Sequence, residues 1–305
     1  MKVVILTPNP AVDVTYRVDR QRIGETVRVA EVTRRAGGKG INVASVLHQL
    51  RIPAVAVSPL GGAAGMWLHE DAAGRGLASR LVPIAGETRT TITIVDGHTH
   101  PTTLTEPGPM VTDAEWHAVA EAVTEEARPG EFLVISGSLP PATSPALVGT
   151  WVEQGRAAGM TTIVDVSGAA LLAAADAGAD LLKPNAGELL AATGLANEVQ
   201  AARLLRDRGA GTVIVSRGAE GMTAYGSSGT GFVQPAPTRL EGNPIGAGDA
   251  ATAGLVAALC RGFSLVQGLP WAAAAGAAAV LMPWAGVIDL PLFARLSGSK
   301  PQART

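Results

Sequence analysis

Short runs of branched apolar residues alternate with longer stretches of helical periodicity, and this alternation limits the fold more than any other feature of the chain. The runs are Val3 to Leu6, Ala54 to Val57, Phe132 to Ile135, Thr161 to Val164, Asp180 to Leu182 and Thr212 to Val215. Between them, apolar residues recur with the period of a helix over Ile41 to Leu50, Ala114 to Glu125, Pro145 to Ala158 and Val199 to Arg208. Such a chain is expected to form an α/β fold in which helices flank a central, mainly parallel sheet on both faces. Ligand sites in sheets of that kind collect at the carboxyl ends of the strands.

Two segments break the pattern. Residues 12–32 and 88–104 are rich in Thr, Val and Arg, and Thr90 to Val95 followed by Asp96-Gly97 reads as a solvated hairpin strand. They are expected to pair into a small β-sheet lid able to exclude water from a reaction. No repeat or linker divides the chain, so residues 1–305 read as a single domain with a loose tail from Ser297. A hydrophobic content of 47% is ample for its core.

Charge and cysteine usage narrow the class of partner. Charged residues make up only 16% of the chain and the net charge is -2, with no basic face for gripping nucleic acid. A small molecule is the expected partner. Cys260 is the only cysteine, which excludes an intramolecular disulfide and any cysteine-clustered zinc site, and fits a reducing cytoplasm. The uncharged stretch Trp271 to Ile288 is dominated by Ala and Gly and broken by Pro283, so it reads as a packed core helix rather than a membrane span.

The segment Asn243-Pro244-Ile245-Gly246-Ala247-Gly248-Asp249 runs directly into the helix-forming stretch Ala250 to Leu259. A glycine turn feeding a helix exposes unpaired N–H groups at the positive end of the helix dipole, where a phosphoryl group can be held. Asp249 at its mouth can cap the helix or accept a proton from an attacking hydroxyl, and the helix end is expected to lower its pKa. Gly246-Ala247-Gly248-Asp249-Ala250-Ala251 formally matches the dinucleotide fingerprint, but no buried strand precedes it and no acid follows about 20 residues on.

Three further motifs fall at or near strand ends. Gly37-Gly38-Lys39-Gly40 lacks the Ser or Thr of a Walker A motif; with Asn42 it offers close backbone approach, a cation and an amide at a helix start, a seat for a sugar and its phosphate. Ser136-Gly137-Ser138-Leu139-Pro140 follows one strand. Lys183-Pro184-Asn185-Ala186-Gly187-Glu188 follows another, and its Asn and Glu, three apart, share a helical face whose oxygens suit magnesium and its waters or merely open a helix. His98 and His100 share a strand face without a third ligand and read as a solvated turn.

These motifs in this order resemble the ribokinase-like carbohydrate kinases of the PfkB family, named for the minor bacterial phosphofructokinase. The resemblance runs from Thr7 to about Ile288 and rests on Gly37 to Ala44 together with Gly246 to Asp249. Thr7 to Asp13, Glu87-Thr88-Arg89 and Ser136 to Pro140 look like the branch of 1-phosphofructokinases and tagatose-6-phosphate kinases. The resemblance implies ATP-dependent phosphorylation of fructose 1-phosphate, fructose 6-phosphate or tagatose 6-phosphate, with Asp249 as base and Gly246, Ala247 and Gly248 around the transferred group. A free-sugar or nucleoside kinase, or a non-catalytic sugar-phosphate sensor on the same fold, is the alternative.

It further implies that Asp13, Gly37, Gly38, Lys39 and Asn42 bind the sugar, with Arg89 and Ser138 near its phosphate. Lys183, Asn185, Ser216, Gly218 and Gly221 would lie along the nucleotide. Asn185 and Glu188 would serve Mg2+ through water, and the lid would form a homodimer contact. Thr91, Arg217 and Ala250 stand where the family carries Asn, Leu and Ser, respectively.

Overall fold

The computed structural model describes residues 1–98, 101–227, 231–237 and 240–298. In chain order its elements are β1 (Val3–Leu6), β2 (Ala11–Arg17), β3 (Glu31–Gly37), α1 (Lys39–Gln49), β4 (Ala54–Leu60), α2 (Gly62–Gly74), β5 (Ala78–Pro83), β6 (Arg89–Val95), β7 (Thr102–Thr105) and α3 (Asp113–Glu126). Next come β8 (Phe132–Ser136), α4 (Ala146–Ala157), β9 (Thr161–Asp165), α5 (Ala169–Asp176), β10 (Leu181–Leu182), α6 (Ala186–Thr193) and α7 (Glu198–Asp207). The chain continues through β11 (Thr212–Ser216), β12 (Met222–Tyr225), β13 (Gly231–Gln234), α8 (Ala247–Cys260), α9 (Leu265–Val280) and α10 (Leu290–Ser297).

Nine strands form the main sheet in the order β13-β12-β11-β10-β9-β8-β1-β4-β5. From β11 to β5 every pairing is parallel, while β12 and β13 return antiparallel at one edge. Successive side chains of a strand point to opposite faces. Accordingly Val3 and Ile5 of β1 enter a core built with α1, α8, α9 and α10, and Val4 and Leu6 enter a second core built with α3, α4, α5 and α7. All six runs expected as strands are found, one with its bounds unchanged and the other five with one boundary moved by one to three residues.

The uncharged stretch after Trp271 falls largely in α9, whose Ala272 to Ala275, Ala278 and Ala279 are buried against α8. Among the described residues no helix is long and apolar enough to cross a membrane. His100 lies outside the described residues. Among those described, no three His, Cys, Asp or Glu side chains cluster to hold a metal.

The lid is a separate sheet in the order β3-β2-β6-β7, with β2 parallel to β6 and the other pairs antiparallel. Its strands depart from the expected segments in one respect. β3 starts only at Glu31 and runs to Gly37, so the first glycine of the Gly-Gly-Lys-Gly motif ends a lid strand and the rest of the motif opens α1. Cross-strand partners share a face. One face therefore carries Ala36, Val12, Val14, Ile92 and Tyr16, which pack on the main core, and the other carries Asp13, Thr91, Thr15 and Thr93.

Candidate active site

The glycine turn and the Gly-Gly-Lys-Gly motif open two helices that meet. Gly246 is the N-cap of α8 in the left-handed region at φ +80°, and a Cβ there would sit 2.6 Å from the Cβ of Ala285, so glycine is required on both counts. Asn243 prepares the turn: its Oδ1 accepts from Ile245 N at 3.1 Å and its Nδ2 donates to Pro283 O at 3.2 Å. Gly38 is the N-cap of α1 at φ +96°, and α1 packs along α8.

Across that contact Asn42 Nδ2 donates to Asp249 Oδ2 at 2.8 Å, joining residues 207 apart in sequence. No side chain caps α8, so the helix start does not use the Asp249 carboxylate. Asp249 is buried, and loss of water, helped by the nearby Asp165 charge, pushes its pKa up to about 7, against the lowering pull of Lys39, Asn42 and Lys183. The expectation that the helix end would lower it is therefore reversed. Taking the carboxylate out of water outweighs the favourable charges around it.

Lys39, the first residue of α1, points at the same place. Its Nζ lies 3.0 Å from Asp165 Oδ1 and 3.6 Å from Glu188 Oε1, and Asp165 foremost, then Asp249 and Glu188, raise its pKa. Arg89 is elsewhere, at the root of the lid: its Nε and Nη2 donate to Asn9 O at 3.2 and 3.0 Å and its Nη1 to Glu106 O at 3.0 Å. The acids beside Arg89 are Asp13 and Glu106. Lys39 and Arg89 thus share no acidic neighbour.

Asp13 of β2 is partly buried beneath Gly37 and Gly38; a Cβ on Gly37 would lie 2.0 Å from its Oδ2. Burial raises its pKa to about 6, although the Gly38 N–H, Arg89 and Arg75 all favour its ionised form. Thr91 faces Asp13 across the lid, and Ser138 is exposed in the loop after β8.

On the other side, Asn185 and Glu188 form a capping box at the start of α6. Asn185 Oδ1 accepts from Glu188 N at 2.8 Å, and Glu188 Oε2 from Asn185 N at 2.9 Å. The helix start thus spends the Asn185 oxygen and one Glu188 oxygen, and leaves Glu188 Oε1 toward Lys39. With a single such carboxylate oxygen, the donor set fits magnesium carried mainly by phosphates and water, and fits no all-protein cage. Ser216 pairs with Asn185 at the end of β11, and Gly218 and Gly221 bracket a short 3₁₀ turn. Arg217 turns away from the cleft, to Glu198 Oε1 at 2.6 Å and to the Thr223 hydroxyl.

Two residues at the centre escape motif reading, Asp165 and Thr252. Asp165 ends β9 and binds both Lys39 and Lys183, and Lys183 itself is buried against it at 2.8 Å. Burial raises the Asp165 pKa, but Lys183 and Lys39 overcome this and hold it well below the usual carboxylate range. An acid at the carboxyl end of a parallel strand was the signal available in the sequence.

The pattern of the pfkB family carbohydrate kinases matches residues 7–288. The chain is 34% identical over 290 residues to the ATP-dependent 6-phosphofructokinase isozyme 2 of Mycobacterium tuberculosis, covering 92% of this chain and 85% of that one. It is 32% identical over 296 residues to the 1-phosphofructokinase of Haemophilus influenzae, covering 95% of each. Among solved structures, phosphofructokinase-2 from Escherichia coli in complex with fructose-6-phosphate superposes with a TM-score of 0.88 at 28% identity, covering 97% of this chain and 98% of that one. The expected ribokinase-like fold is therefore the observed one.

Proposed function

Since this chain belongs to the pfkB family of carbohydrate kinases, we propose that it transfers the γ-phosphoryl group of ATP to a hydroxyl of a phosphorylated ketohexose. The candidate acceptors are fructose 1-phosphate, fructose 6-phosphate and tagatose 6-phosphate. The observation that carries the reading is Asp249, a buried carboxylate held by Asn42 in the first turn of a glycine-started helix, with the Lys39 ammonium beside it. The names of the relatives, 1-phosphofructokinase and 6-phosphofructokinase, support a sugar phosphate as acceptor.

The transition state of phosphoryl transfer is loose, so catalysis is mostly positioning and charge stabilisation. The N–H groups of Gly248 and Asp249 lie in the first helical turn, where intrahelical acceptors are missing, and serve the oxygens of the transferred group. Asp249 takes the proton of the attacking hydroxyl. Its elevated pKa suits that task near neutral pH. Glu188 Oε1 and the waters it orders would hold magnesium, which neutralises phosphate charge when bound. Asp13 and Asn42 border the sugar, Arg89 and Ser138 its phosphate, and Ser216 and Gly218 to Gly221 the nucleotide. The enzyme is read as acting in the cytoplasm, with the lid as a contact between two copies.

An ATP-consumption screen over the three sugar phosphates, free hexoses and nucleosides tests the assignment. One phosphorylated ketohexose is expected to exceed every uncharged acceptor in kcat/KM by at least about a hundredfold. A free sugar or nucleoside as the best acceptor overturns it.

A further inference from the structure

Asp165 carries more hydrogen bonds than a buried carboxylate needs merely to be tolerated. Its Oδ1 accepts from Lys39 Nζ at 3.0 Å; its Oδ2 accepts from Lys183 Nζ at 2.8 Å and from Thr252 Oγ1 at 3.0 Å. Its backbone carbonyl accepts from Gly137 N at 3.1 Å. Thr252 is fully buried, three residues beyond Asp249 on α8, so both side chains leave the helix on one side. Around it α8 is almost wholly Ala, Gly, Leu and Val, where a valine would fill the same volume. The single hydroxyl proton lies between two acceptors, Asp165 Oδ2 at 3.0 Å and Gly248 O at 3.1 Å, and of these only Asp165 ties the side chain to another element.

The charges do not cancel. Lys183, Asp165 and Lys39 together carry one net positive charge. The side chain of Lys183 is 3% exposed and that of Lys39 is 37% exposed. The excess charge thus resides at Lys39, at the end of the trio that opens to the cleft beside Asp249 and Glu188. Lys183 satisfies the carboxylate, and Thr252 fixes its rotation so that Oδ1 stays turned to Lys39.

We propose that Asp165 and Thr252 are positioning residues for phosphoryl transfer, anchoring the Lys39 ammonium against the terminal phosphoryl group of the bound nucleotide. This deepens the kinase reading above and rests on it. The test compares Thr252→Val, which removes the hydroxyl at constant volume, with Thr252→Ser, which restores it, and with Asp165→Asn. Affinities for AMP-PNP and for ADP, each with magnesium, are measured by calorimetry alongside kcat and the KM for the accepted sugar phosphate.

In Thr252→Val, AMP-PNP affinity and kcat are expected to fall about tenfold. ADP affinity and sugar KM should stay within about twofold, the uncertainty of comparing single contacts. Thr252→Ser should recover most of the loss, and Asp165→Asn should lose more. Equal losses for AMP-PNP and ADP, a wild-type ratio in Thr252→Val, or a serine variant as impaired as the valine one each overturn the proposal. Should Asp165→Asn fail to fold, the threonine pair decides. The nucleotide ratio is read without any sugar, so a protein that turns over no sugar phosphate refutes the kinase reading while the ratio still judges the anchor.

Discussion

Asp249 could have been a helix cap, and the residue that decides otherwise is Asn42. An amide placed 207 positions away takes the carboxylate, and the helix start has no side-chain cap at all. With its pKa pushed to about 7, Asp249 is ionised above that pH and protonated below it, so kcat should fall on the acid side with a midpoint near 7. Asn42 favours the ionised form, so Asn42→Ala should move that limb to higher pH, which a kcat profile checks; an unmoved limb would remove Asn42 from the base. Stability follows the same shift with its own sign. The folded pKa is raised from 3.8, so the contribution of this group is complete below that value and is lost as pH rises through about 7. Asp249→Asn, neutral throughout, should therefore gain stability over the native chain between pH 5 and 8, by on the order of 1–3 kcal/mol, in thermal unfolding at the two values. The motif showed that Asn42 and Lys39 belong to the site but not whom they touch, because their partners come from other elements. Asp165 carries no legible motif for the same reason: its partners Lys39, Lys183 and Thr252 converge on it only in the fold.

At the scale of elements, the central strands were legible because a parallel strand buried on both faces is written as an unbroken apolar run, as in Val3 to Leu6. β5 and β13 lie at the sheet's edges with mixed exposure and carry no such run. α9 was recognised as a packed helix from its composition, yet α2 was not seen, since apolar residues spread round its circumference leave no stripe to detect. The turn before α8 allows a sharper separation of fold from function. Gly246 holds φ +80° with Ala285 pressed against it, so Gly246→Ala should cost about 1–3 kcal/mol of stability as well as activity. Gly248 has ordinary helical geometry, and a Cβ there would meet no atom within 4 Å. Gly248→Ala should leave stability unchanged or raise it by roughly 0.5–1 kcal/mol, as alanine does inside a helix, while lowering kcat. Denaturant melts and turnover of both variants check this. A Gly248→Ala enzyme of full activity would mean that the open space above the helix is not reserved for a phosphoryl group.

At the scale of the whole molecule, one of the exposed apolar surfaces among the described residues lies on the lid. The face that begins on the core with Ala36, Val12 and Val14 continues outward through Tyr16, Ile92 and Ile94 to Val32 and Leu104, which are 50% and 55% exposed. Both edge strands, β3 and β7, end there with unpaired ladder sides, and such an edge invites another sheet. The opposite face of the same sheet carries Asp13 and the lid threonines, so polar groups line one face while the apolar face is core-packed at one end and exposed at the other. A second copy laid on that exposed end would fix the lid over the sugar without touching the phosphoryl-transfer residues. Val32→Asp combined with Leu104→Glu should therefore shift the light-scattering mass from twice 30.9 kDa to a single chain. The sugar KM should rise about fivefold or more while ADP affinity stays unchanged, because the nucleotide side does not depend on the lid. A native chain that already runs as a monomer, or a double variant that keeps its mass, would take the dimer contact off the lid. A variant that becomes monomeric with an unaltered sugar KM would separate assembly from the action of the lid on the sugar.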